Sequence, residues 1–302
     1  MKLPTAFVTG CNSGVGLSLA TKLAANHKVF AGVRGLTDAK RADLDRAAAA
    51  AGVTDNLEVV ECDVASEASV QEAVAAMLAK TDGRCDLLVA NAGFSLFGSI
   101  EMLPMDDIRS QFETNVFGAI RCQQAVLPAM RQQGAGKIVL LSSVGGVWGQ
   151  PFNDAYCASK FALEGLAESQ AALFRGFGVR VCCVQPGAIR TAFIANAKRP
   201  DMAKVPAEYH APLQRTMAAY QRSGQAAPNT SQTPDEVAQI IIDRVVAVAE
   251  PPLKVQTNPA IAAVFEGQLK DTTGEWGVQA AARRFLAEPE QEPAVAEAAP
   301  GA

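Results

Sequence analysis

Tyr156 and Lys160 stand four residues apart in the run Tyr156-Cys157-Ala158-Ser159-Lys160, a spacing that brings both side chains to one face of a helix. A phenol beside an ammonium can move protons: free tyrosine titrates near about 10, and a neighbouring cation favours the phenolate. Ser143, in Leu141-Ser142-Ser143-Val144-Gly145-Gly146, offers a hydroxyl that can donate to an oxygen on which charge develops. Asn115 falls inside a long helical pattern, where asparagine is a mediocre helix former unless its amide has a local task; the task expected is to hold a water near Lys160. These four residues form the candidate catalytic set, suited to proton transfer at an alcohol or carbonyl oxygen. Singly each has a plain structural reading, since YxxxK spacing arises by chance and a serine pair can simply end a strand. Only two histidines occur, His27 and His210, so a histidine-based hydrolase or a histidine metal site has little material and no metal is expected.

A second constellation lies at the N-terminus. Thr9-Gly10-Cys11-Asn12-Ser13-Gly14-Val15-Gly16 follows a strand-like run and opens a helical one, the context in which a glycine loop lets a pyrophosphate approach the N–H groups of a helix N-terminus. Gly10, Asn12, Ser13, Gly14, Val15 and Gly16 are therefore candidate cofactor contacts. The second strand ends Gly32-Val33-Arg34 without the carboxylate that a ribose 2′-hydroxyl needs; Arg34 suits a 2′-phosphate, so NADP(H) is expected over NAD(H). Asp63 follows the third strand and can accept from an adenine amino group or cap the helix beginning near Ser66. Asn91-Ala92-Gly93 ends the fourth strand with small residues that permit close approach of a ribose.

These residues need a frame that collects strand ends at one edge. Valine-rich runs at 3–8, 28–33, 57–62, 85–90, 137–141 and 179–184 read as buried strands, and segments such as 16–25, 66–79 and 105–132 carry helical periodicity. Strands alternating with helices predict an α/β fold: a Rossmann-type, doubly wound parallel sheet with helices on both faces. Beyond Pro186 the rhythm loosens. Residues 191–233 are assigned to a small helical substrate cap, Pro234 opens an amphipathic helix to about 249, and 253–256 can add an edge strand. One domain over 1–286 is expected, with 287–302 too poor in large apolar groups to stay ordered.

Composition narrows the remaining classes. Hydrophobic residues make up 49% of the 302 and charged ones 19%, enough to bury a large core. With 27 Lys plus Arg against 31 Asp plus Glu and no basic run, nucleic acid is not an expected partner. Seven scattered cysteines without a CxxC pair suit reduced buried thiols. No apolar stretch is long enough to span a bilayer, although peripheral membrane contact stays open, and the N-terminus has no room for a signal peptide, so a cytoplasmic location is expected.

Taken together, TGCNSGVG, NAG, NVFGA, the Ser143 strand end and YCASK resemble the short-chain dehydrogenase/reductase family over about 3–193. Within that family the stretch 143–166 is similar to the 17β-hydroxysteroid and retinol dehydrogenases. The resemblance implies catalytic roles for Asn115, Ser143, Tyr156 and Lys160. It adds Val64, Pro186, Gly187, Ala188, Ile189 and Thr191 to the cofactor contacts already named. A homodimer built across the long helices beginning near Met105 and Asn153 is implied as well, as is a bulky apolar alcohol or carbonyl substrate, steroid-like or retinoid-like. Alternatives are reduction of 3-oxoacyl or aliphatic ketones by the same residues, and a non-catalytic NADP(H)-binding sensor, whose usual mark, a broken tyrosine–lysine pair, is not seen.

Overall fold

The computed structural model of the protein describes residues 2–225 and 231–287. Of the predicted tail, all but Ala287 lies outside the described residues, as does part of the cap region. The chain runs β1 (Thr5–Thr9), α1 (Gly14–Leu23), β2 (Lys28–Val33), α2 (Asp38–Ala50), β3 (Leu57–Glu61), α3 (Glu67–Lys80) and β4 (Leu87–Ala90). It continues through α4 (Met105–Phe112), a wide π turn (Glu113–Phe117), α5 (Gly118–Gln133), β5 (Gly136–Leu141), α6 (Asp154–Arg175) and β6 (Val179–Gln185). After the short β7 (Ala188–Ile189) come α7 (Ala207–Gln225), β8 (Ser231–Gln232), α8 (Pro234–Ile241), β9 (Lys254–Gln256), α9 (Pro259–Lys270) and α10 (Glu275–Leu286).

Seven strands form one sheet in the order β3-β2-β1-β4-β5-β6-β9, all parallel. Side chains on successive strand residues point to opposite faces, and the burial follows that parity. Ala6, Val8, Val29, Ala31, Leu87 and Val89 pack with Leu19 and Leu23 of α1, Leu44 of α2 and Ile241 of α8. Phe7, Phe30, Leu88 and Ile138 face Met77 of α3, Val126 and Met130 of α5 and Leu163 of α6. Strands covered on both faces have no use for polar alternation, which is why they read as continuous apolar runs. The strand order reverses between β1 and β4, and the carboxyl ends of those two strands open a crevice.

The expected sheet and strands are present. The helical cap expected in 191–233 contains α7, a helix of 19 residues with Pro212 inside it. Two local findings differ from expectation. The helical pattern at 105–132 is interrupted by the π turn at Glu113–Phe117. Helices α9 and α10 follow β9 as further elements that the apolar periodicity does not announce. Pro234 does open a helix, with a capping box between Thr233 and Glu236. No helix among the described residues is long and apolar enough to cross a membrane.

Candidate active site

A single cavity of about 1890 Å³ runs along the carboxyl edge of the sheet. Gly10, Asn12, Ser13, Gly14, Val15, Arg34, Asp63, Val64, Asn91, Ala92 and Gly93 border it, together with Ser143, Tyr156, Lys160, Pro186, Gly187, Ala188, Ile189 and Thr191. Two predicted residues, Gly16 and Asn115, do not reach its wall and act from behind it.

Gly10 and Gly14 take positive φ, +72° and +60°, values that side-chain-bearing residues rarely adopt. Gly16 has another constraint: a Cβ there would fall 2.3 Å from the Gly10 carbonyl oxygen and 2.5 Å from Asn91 Nδ2. The Asn91 amide is engaged by the loop, donating to the carbonyls of Thr9 at 2.8 Å and Gly10 at 3.2 Å. Thr9 Oγ1 in return accepts from the N–H groups of Asn91 and Ala92, each at 3.1 Å. Asn91 thus fastens the end of β4 to the glycine loop. Ser13 caps α1 by position only, its side chain making no cap bond, and the first turn carries no acid. The amides and positive dipole end of α1 are left to an anion, which is what a nucleotide's pyrophosphate requires. The residues present fit such a cofactor.

At the adjoining end, Arg34 is exposed on the cavity wall. The neighbouring acid, Glu61, is spent on local backbone, accepting from the N–H of Gly35 at 2.9 Å and from that of Leu36 at 2.5 Å. Lys40 Nζ donates to the carbonyls of Arg34 and Gly35. Asp63 does not cap α3. Ser66 performs that function through the Ser69 N–H, and Asp63 Oδ1 accepts from Ala65 N at 3.0 Å while the residue borders the cavity.

The proton-transfer residues meet where β5 ends and α6 begins. Tyr156 is half-buried, and burial pushes its phenol up to about 12 against the pull of a hydrogen bond from the Ser143 hydroxyl. Ser143 Oγ also accepts from Gly145 N at 3.1 Å, which fixes it at the strand end. Lys160 Nζ lies 5.7 Å from the Tyr156 ring centroid and donates to the Leu141 carbonyl at 2.6 Å. Burial draws its ammonium down to about 8, with Cys183 and Glu164 acting in the opposite direction. The expectation that Lys160 lowers the phenol is therefore not met in this geometry, because desolvation dominates both groups. Asn115, on the π turn, clamps Phe94 from both sides: Oδ1 accepts from Phe94 N and Nδ2 donates to Phe94 O, each at 3.1 Å. Nδ2 also reaches Ser159 Oγ at 3.2 Å, so the amide supports the helix turn that carries Lys160 and makes no direct bond to it.

The roof comes from α7, α9 and α10. Tyr220 donates to Gln150 Oε1 at 2.8 Å and accepts from Asn153 Nδ2, tying α7 to the start of α6. Trp148 Nε1 donates to the Gly277 carbonyl at 3.0 Å, and the Phe285 ring lies 5.7 Å from Trp148 and 5.0 Å from Tyr220. Phe193 packs edge-on to Tyr156 at 5.9 Å. Trp276, Phe285 and the arginines beside it were missed by sequence reasoning, because α10 shows only as one apolar stripe in an alanine-rich segment far from any motif.

The family profile described as short chain dehydrogenase matches residues 4–202. The chain is 38% identical to human 17-beta-hydroxysteroid dehydrogenase type 1 over 272 residues, covering 88% of this chain and 81% of that protein. It is 37% identical to human retinol dehydrogenase 8 over 257 residues, covering 84% and 81%. Among solved structures, a short chain dehydrogenase/reductase of Burkholderia phymatum in complex with NAD superposes with a TM-score of 0.76 at 25% identity, covering 91% of this chain and 95% of that one.

Proposed function

The chain belongs to the short-chain dehydrogenase family, and from that premise we propose that it is an NADP(H)-dependent oxidoreductase interconverting an alcohol and a ketone or aldehyde on a bulky apolar substrate. One observation carries the reading: a single cavity joins a glycine loop fit for a nucleotide to Ser143, Tyr156 and Lys160 under an aromatic roof. A bound nicotinamide nucleotide supplies or accepts the hydride. The proton falls to Tyr156, whose raised pKa keeps it protonated at neutral pH and so ready to donate to a carbonyl oxygen that is gaining charge. Ser143 is set to hydrogen-bond that same oxygen and to steady the phenolate left behind. Lys160, charged below about pH 8, lends its positive field to the phenolate.

Two finer assignments are part of the proposal. Preference for the 2′-phosphate is supported by Arg34 on the cavity wall and by a β2 end lacking an acid. Arg34→Asp is expected to shift the NADP/NAD ratio of kcat/KM toward NAD by about tenfold or more; an unchanged ratio removes Arg34 from cofactor selection. A homodimer is supported by the exposed apolar Met105, Phe117, Phe161 and Leu173 along α4, the π turn and α6, and sedimentation at micromolar concentration tests it. The activity itself is tested by following NADPH oxidation against retinal, a 17-ketosteroid, aliphatic ketones and a 3-oxoacyl thioester, with NADH in parallel. Turnover of an apolar carbonyl is expected, and tight NADPH binding without turnover of any of them overturns the enzymatic reading.

A further inference from the structure

Glu164 is a buried carboxylate that does not border the cavity. It sits on α6 one turn beyond Lys160 and is 5% exposed, and the i,i+4 spacing sets the two side chains on one face of the helix. Its Oε2 accepts from Gln185 Nε2 of β6 at 2.9 Å. Gln185 is held in turn by Gln256 of β9, whose Nε2 donates to Gln185 Oε1 at 2.9 Å. Lys254 of β9 lies 3.9 Å from Glu164 Oε2 but stands closer to Glu168, at 2.5 Å. The second carboxylate oxygen, Glu164 Oε1, is buried without a hydrogen-bond partner among the described residues.

A carboxylate taken out of water is costly unless a cation answers it. Here a neutral amide and a lysine shared with Glu168 answer it in part, for two acids and one lysine leave the group with a net negative charge. Lys160 presents the converse. It is 6% exposed, and its Nζ donates to the Leu141 carbonyl, a neutral acceptor on β5. The Cys183 thiol of β6 places the two charges in one neighbourhood, since it feels Glu164, Lys160 and Lys254 together while its Sγ lies 3.6 Å from the Leu163 carbonyl. Two titratable groups act on the Lys160 charge, Cys183 and Glu164. The thiol is pushed up by burial and is neutral at neutral pH, as is the Tyr156 phenol, raised to about 12. Glu164 is thus the anion facing Lys160 among the described residues.

We propose that Glu164 is a positioning residue of the proton-transfer set: its buried carboxylate, held by Gln185 and Lys254, keeps the Lys160 ammonium charged beside Tyr156. Each charge offsets the desolvation of the other across one helical turn, without a bond between them. The proposal deepens the reductase reading, in which that ammonium steadies the phenolate, and rests on it for the catalytic consequence but not for the charge relation itself.

The experiment uses the full chain with its lysines isotope-labelled at Cε, and follows the Lys160 signal by NMR against pH, Lys160→Met identifying the signal. The wild-type midpoint is expected near about 8. Glu164→Gln should lower it by about half a pH unit or more, and Glu164→Asp, which keeps the charge, should restore most of the difference. Should Glu164→Gln fail to fold, Glu164→Leu combined with Gln185→Leu, which replaces both hydrogen-bonding partners with apolar groups, should give the same shift. In NADPH-dependent reduction of an apolar aldehyde, the ratio of wild-type to Glu164→Gln kcat should grow about twofold or more between about pH 6 and about pH 8, as the variant loses the Lys160 proton earlier. An unmoved midpoint, or a kcat ratio equal at the two pH values, overturns the proposal, the latter marking a merely structural role. The two readings fail separately: a lowered midpoint in a chain that reduces no carbonyl overturns the reductase and leaves the charge relation, whereas an unmoved midpoint in an active enzyme does the reverse.

Discussion

Burial moves the proton affinities of Tyr156 and Lys160 in opposite directions, the phenol up to about 12 and the ammonium down to about 8. Each residue keeps or loses its proton according to which form carries the charge. Tyr156→Phe is expected to lower kcat at least about a thousandfold while cofactor affinity changes less than about threefold; parallel kinetics and fluorescence titration with NADPH check both. Linkage gives Lys160 a signature in stability. Between about pH 8 and the unfolded value of 10.5 the unfolded chain holds a proton that the folded one has released, so this group's contribution to stability rises with pH across that window. Urea unfolding of wild type and Lys160→Met at pH 7.5 and 10 should show wild type gaining relative to the variant, and no change in the difference would contradict the buried charge. The cysteines behave alike. All seven are buried, and burial raises every thiol, Cys157 and Cys182 to about 11 and Cys62 and Cys85 to about 12. Fewer than about one thiol per chain should react with a disulfide reagent at pH 8 before denaturation, and all seven after it.

At the scale of elements, the glycine loop and the π turn each depend on a contact that local preference does not disclose. Gly16→Ala would drive a methyl group into the Gly10 carbonyl and the Asn91 amide, at 2.3 and 2.5 Å. NADPH affinity is expected to fall about tenfold or more. Gly52→Ala, with positive φ but no atom within 4 Å, should cost about 1 kcal/mol of stability and leave that affinity alone. Asn115→Leu would strand the N–H of Phe94, whose carbonyl keeps its bond from Gln111 Nε2 at 2.7 Å, and is expected to cost about 1–3 kcal/mol in urea unfolding. The sequence offered a cue here, an asparagine where helix propensity argued against it, but assigned its amide to a water near Lys160. In the fold the amide is bonded to Phe94 and Ser159, partners 21 and 44 residues away in the chain.

For the whole molecule, the division is between a sheet that carries the nucleotide end and a roof that closes the other. Truncation after residue 271 removes α10 and with it the Trp148–Gly277 bond and the Phe285 contacts. Such a chain should keep NADPH affinity within about threefold, since the glycine loop, Arg34 and Asn91 lie on the far half of the cavity, while KM for a bulky carbonyl rises at least about tenfold.

How much of this was legible follows from where the information resides. Strand positions, the parallel sheet, the glycine loop and the YxxxK pair could be read directly, because apolar runs buried on both faces, a glycine needed for positive φ, and i,i+4 spacing are all local properties of the chain. Pro234 marked the start of α8 for the same reason. Tertiary structure alone decided four things. It gave Asn91 a clamping role at the glycine loop besides its place on the cavity wall, directed the Asn115 amide to Phe94 and Ser159, and made burial outweigh the Lys160 cation at Tyr156. It also carried α9 and α10 over the cavity, bringing Ile261, Trp276 and Phe285 to the same wall as the glycine loop and Tyr156, more than a hundred positions earlier in the chain. Desolvation and long-range packing depend on which distant segments meet, and no periodicity or spacing within a segment encodes that meeting.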